Sequence, residues 1–129
     1  MRLIGPLNTG VAAGGAGAAT STATTTNLVI GLVMGIYVRY NHTPPAATTD
    51  VVVTTAGSNS AIPAQTLLTL TDSATDGLYR PRVIGDDLVG VTLIADAAAE
   101  PIAIYDQVKV TISQANNSDS VDIWLLMED

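Results

Sequence analysis

The longest apolar run in the chain spans residues 28–40, LVIGLVMGIYVRY, and is rich in β-branched and aromatic types up to Arg39. Its even positions, Leu28, Ile30, Leu32, Met34, Ile36, Val38 and Tyr40, form a full-sized hydrophobic set at the period of two that a pleated strand imposes. We therefore read it as a central strand with that set turned to the core. The odd positions include Gly31 and Gly35, where another backbone could approach closely, a neighbouring chain among the candidates. As a helix the run would carry two glycines costing about 1 kcal/mol each. As a membrane span it is too short, meeting Arg39 after eleven residues where about 20 are needed.

Shorter runs repeat this strand pattern between turn-forming clusters. Residues 41–50, NHTPPAATTD, interrupt the sheet at Pro44 and Pro45, and residues 50–55, DVVVTT, return; a hairpin joining 28–40 to 50–55 is expected. QTLLTLT (65–71) follows as a strand. LYRPRVI (78–84) sets Arg80 and Arg82 on one face, Tyr79 and Val83 on the other, with Pro81 marking an edge. DDLVGVTLIA (86–95) reads as one strand, and IAIYDQVKVTIS (102–113) as another with Val108, Val110 and Ile112 inward. VDIWLLM (121–127) completes a final hairpin, alternating Val121, Ile123, Leu125 and Met127 with Asp122, Trp124 and Leu126. About eight strands at this spacing predict an all-β fold, an antiparallel β-sandwich of jelly-roll type.

The N-terminal residues stand apart. Residues 1–7 hold an apolar cluster, Leu3, Ile4 and Leu7, with Pro6 favouring an edge position. GVAAGGAGAAT (10–20) has only small side chains and little apolar area to offset its ordering entropy, so it is expected either as a flexible leader or as an arm ordered by a partner. Residues 1–20 are thus expected to form an extended N-terminal arm or edge segment, and residues 21–129 one sandwich domain. Gly5, Pro6 and Asn8 break the apolar run that a secretory leader requires.

Composition sharpens this picture. A mean hydropathy of +0.37 with 13% charged residues is high for a soluble monomer, so apolar surface is expected to be buried between subunits. Phe is absent and Trp124 is the single tryptophan, leaving Val, Leu, Ile, Ala and Thr to fill the core. The net charge of −7 with five dispersed basic residues disfavours nucleic acid.

Candidate chemistry is sparse. Without cysteine there is no disulfide, thiol nucleophile or thiolate zinc site. His42 is the lone histidine, sits before a Pro-rich turn and has no GxSxG companion, so it reads as a turn residue rather than a base. The carboxylates cluster in turns, where Asp caps its own backbone, and neither DSATD nor QANNSDSVD fits a calcium loop. The glycines of 10–17 lack a P-loop lysine. No catalytic residue, metal or cofactor is expected.

The stretches RLIGPLNTG (2–10), GIYVRYNHTPPAATTDVVVTTAG (35–57) and QANNSDSVDIWLLM (114–127) make the chain resemble the cement, or decoration, proteins of tailed-bacteriophage capsids. That resemblance implies a jelly-roll or tulip-like β fold and a homo-oligomer, trimer before dimer. It further implies the major capsid protein as partner on the outer capsid surface, with no enzyme activity and neither membrane nor nucleic acid bound. The candidate contact residues are Arg2, Leu3, Ile4, Pro6, Leu7, Gly31, Gly35, Arg80, Arg82 and Trp124. Strand addition by residues 1–7, with Arg2 meeting an acidic surface, is the expected mode. The alternative is a receptor- or glycan-binding module of a tail or fibre using loops around His42, Ser58 and Asn116.

Overall fold

A computed structural model describes residues 1–41, 45–58, 60–84 and 99–129. Within them ten strands form two antiparallel sheets. The strands are β1 (Arg2–Asn8), β2 (Ala19–Thr24), β3 (Val29–Tyr40), β4 (Asp50–Thr55), β5 (Thr66–Leu70), β6 (Gly77–Tyr79), β7 (Arg82–Ile84), β8 (Ala99–Asp106), β9 (Val108–Ala115) and β10 (Val121–Glu128). One sheet runs β1-β10-β3-β8-β7, with β6 also on β3; the other runs β2-β9-β4-β5. The pairs β1·β10, β2·β9, β3·β8 and β4·β5 are nested, each enclosed by the one before. Cross-pairs β10·β3 and β9·β4 join them into sheets.

Between the sheets lies one aliphatic core. Val33, Ile36 and Ile123 from the first sheet and Val51, Val53, Val110 and Ile112 from the second are essentially inaccessible to solvent. Each such side chain contributes about 1.5–3 kcal/mol on burial. β10 keeps the expected alternation throughout, with Val121, Ile123, Leu125 and Met127 inward. β9 likewise turns Val108, Val110 and Ile112 to the core.

The central strand departs from its expected phase. From Ile36 onward the even residues are buried, but before Gly35 the buried positions are Val29 and Val33, and Leu28, Ile30 and Leu32 are exposed. A register shift explains it: Leu126 pairs with Gly35 and Met127 with Val33, so Met34 is an extra residue on β3. One inserted residue moves every preceding side chain to the opposite face.

Both expected hairpins are instead crossings between sheets. β3 and β4 lie in different sheets because each already has both edges filled, β3 by β10 and by β8 with β6, β4 by β9 and β5. β9 and β10 are separated in the same way. The expected strand 102–113 breaks at Gln107 into β8 and β9, one in each sheet. Buried Asp106 holds that corner, accepting from the Gly57 and Gln107 amides at 2.7 and 2.8 Å and from the Ser58 hydroxyl. These hydrogen bonds, Ser58 first, hold the Asp106 carboxyl below its usual range. The expected strand 86–95 lies outside the described residues.

The N-terminal residues are part of the sandwich. Residues 2–8 form the end strand of the six-stranded sheet, with a bulge between Ile4 and Leu7. The small-residue segment folds back on its own chain: Ala12 and Ala19 are buried, the Ala12 amide donates to the Asp119 carbonyl at 2.7 Å, and Ala13 bridges Thr20. The absence of bulky side chains lets this loop press against the core. Neither a free leader nor an arm ordered by a partner describes it.

Candidate interaction surface

The two outer faces of the sandwich differ in kind. On the four-stranded sheet, Thr22 stands opposite Thr111 and Thr111 opposite Val52; Thr24 stands opposite Lys109 and Lys109 opposite Thr54. The Thr22 and Thr111 hydroxyls are 3.0 Å apart. This polar, β-branched surface suits a sheet face in contact with water.

The outer face of the six-stranded sheet is apolar. Leu3 of β1 stands opposite Leu126, Trp124 opposite Tyr37, and Tyr37 opposite Leu78 of β6. They border a shallow groove of about 710 Å³. Past the bulge the same face continues with Ile30 and Leu32, and Ile30 stands opposite Tyr105 of β8; Leu28, just ahead of β3, borders a cleft beside β1. Leu3, Ile30, Leu32, Tyr37, Leu78 and Tyr105 are each between 37% and 58% exposed. Contiguous apolar surface on this scale marks a place where a molecule is covered by another.

Charged groups on this face include the Arg39–Asp122 pair, Asp76 in the groove wall and exposed Glu128 opposite Leu32. The Arg39 guanidinium lies 5.2 Å from the centre of the Trp124 ring and donates to Asp122 at 2.8 Å. Asp122 also accepts from Asn8 at 2.7 Å. Burial alone would raise the Asp122 carboxyl, but hydrogen bonds from Asn8, Arg39 and Asn41 and the Arg39 charge outweigh it and hold it below the usual range. At the end of the sheet Arg2 pairs with Asp129 at 3.0 Å and donates to the Ile30 carbonyl at 2.6 Å.

The sequence-derived candidates separate into two groups. Leu3 and Trp124 belong to the apolar face, whereas Arg2, opposite inward Met127, borders the cleft on the other side of β1. Ile4 and Leu7 turn inward, opposite Leu125 and Ile123, over this smaller cleft of about 500 Å³, which also reaches Thr25 and Val29. Pro6 sits exposed at the β1 bulge. Arg82 donates to the Pro81 and Met34 carbonyls at 2.7 and 3.3 Å, and Arg80 is exposed between β6 and β7. The glycines serve contacts within the chain: a Cβ on Gly31 would lie 2.5 Å from the Glu128 carbonyl oxygen, and one on Gly35 would lie 3.0 Å from Leu78 Cδ1.

Ile30 and Leu32, expected in the core, are the face residues that the sequence reading misplaced, and Leu28, expected there too, is exposed beside the cleft. A glycine within a strand is a signal for a bulge, and Gly35 adjoins the inserted Met34. Of the loop residues proposed for a glycan, Ser58 is bonded to Asp106 and Asn116 accepts from the Gly17 amide at 3.2 Å. His42 lies outside the described residues. Comparison of the chain with family models, with curated proteins and with solved structures found no match.

Proposed function

We propose that the protein is a non-enzymatic structural protein of a virion, a decoration protein that binds the outer surface of a capsid shell as an oligomer. The observation that carries this reading is the contrast between the two outer faces. A threonine face suited to water and a largely apolar opposite face suit a component that is covered on one side and wetted on the other. The nested strand order supports a jelly roll: with the two three-residue strands β6 and β7 set aside, the sheets run first-eighth-third-sixth and second-seventh-fourth-fifth.

Contact with the shell is assigned to the end strand β1. Its second edge has no partner strand among the described residues, and residues 2–4, ahead of the bulge and Pro6, present an edge that can accept a strand from the shell. Several such edges in one oligomer multiply a modest affinity through effective concentration. The test is sedimentation with shells that lack the protein. Co-sedimentation at a fixed, saturating stoichiometry, weakened by deletion of residues 1–4 with the circular dichroism unchanged, is expected. A full-length protein that stays in the supernatant overturns the reading.

A further inference from the structure

We propose that the apolar outer face of the six-stranded sheet is covered by a second copy of the same chain, packed sheet on sheet about a two-fold axis. This rests on the reading of the chain as an assembly component and names the occupant of its apolar face.

Area favours such an interface. Six large side chains at 37–58% exposure, at roughly 150–200 Å² each, present on the order of 500 Å² of apolar surface. With half-buried Trp124 and Leu126 and the stem of Arg39 added, the face approaches the ~800 Å² per partner of a standard stable interface. Charge restricts where a copy of this chain can dock. A molecule of net charge −7 resists approach by its like, and the contact must fall where charges are neutralised locally. Here Arg39–Asp122 is such a pair, and Asp76 and Glu128 are the carboxylates the interface must accommodate. Geometry is compatible as well, because two copies of one sheet share one twist, the condition for aligned packing of sheet faces. A self-complementary patch closes at two copies, so the pair replaces the trimer implied by the resemblance.

The test is sedimentation equilibrium of the protein alone. The wild type is expected as a dimer at micromolar concentration. Leu78→Lys and Ile30→Thr alter exposed positions of the face, and each is expected to weaken association at least about tenfold. The lysine lowers the net negative charge, so weakened association cannot be assigned to added repulsion. Thr111→Lys, on the threonine face, is expected to leave the dimer intact. A monomeric or trimeric wild type, or a dimer that tolerates both face variants while circular dichroism shows them folded, overturns the proposal. Shell co-sedimentation reports separately on the decoration reading, which a monomer that still saturates shells leaves standing.

Discussion

Two glycines on one strand offer a sharp test of the account of β3. Gly31 has a φ of +130°, and a Cβ there would lie 2.5 Å from the Glu128 carbonyl oxygen. Alanine at this position must hold a backbone conformation open mainly to glycine, at about 1–3 kcal/mol. It must also push the end of β10 away, losing a ladder bond worth about 1 kcal/mol. Gly31→Ala is therefore expected to cost about 2–4 kcal/mol of a total stability of about 5–15 kcal/mol. Gly35 has no such φ, and its nearest obstacle is the tip of a partly exposed leucine, Leu78 Cδ1 at 3.0 Å. A small rotation of Leu78 relieves that contact, and strand propensity returns about 0.5–1 kcal/mol. Gly35→Ala is expected to lie within about 1 kcal/mol of wild type. Urea unfolding followed by circular dichroism decides: the Gly31 variant should lower the midpoint by about 1–2 M at an unchanged slope. A Gly31 variant as stable as wild type, or a Gly35 variant that is the worse of the two, refutes the reasoning.

Acid should act through Asp106 and Asp122, both held below the ordinary carboxylate range. In the window between the lowered folded values and the unfolded value near ~3.9, the unfolded chain binds more protons. Their contribution is thus complete above that window and is lost as pH falls through it. Asp122→Asn should flatten the acid limb of a stability–pH curve, and an unchanged limb would count against the Arg39–Asn8–Asp122 account. The Tyr40 hydroxyl is buried and, among the described residues, makes no hydrogen bond of good geometry; burial raises its phenol, and the Ser73 side chain offsets this only in part. Tyr40→Phe should thus be neutral or stabilising by up to about 1–3 kcal/mol, whereas a clear loss in thermal unfolding would reveal a hydrogen bond made by that oxygen.

The sequence was most legible where one rule acts alone. β10 alternates inside and outside without interruption, so its seven-residue pattern separated Val121, Ile123, Leu125 and Met127 from Asp122, Trp124 and Leu126 as the structure does. β3 was legible only beyond Gly35: because both sets of its side chains are apolar, nothing in the pattern marked the bulge, and Ile30 and Leu32 were assigned to the wrong face. Crossings were hidden for another reason. A polar stretch such as 41–49 turns the chain equally well into a neighbouring strand or into the opposite sheet, and which occurs depends on distant strands filling the edges. The break at Gln107 was masked because the polar pair Asp106–Gln107 is only two residues long between strand-like runs. The glycines were recognised as close-approach sites, but the approaching groups, Glu128 and Leu78, belong to the same chain.

The nesting of the strand pairs has a consequence for the order in which the protein can be completed. β10 is made last of the ten strands, yet it lies between β1 and β3 and supplies four of the buried apolar side chains. Until it leaves the ribosome, two strands that emerged long before it stand as open edges, one of them the most hydrophobic in the chain. The sandwich therefore closes only once β10 has emerged. The interval before closure is the one in which these edges are exposed to pairing with other nascent chains.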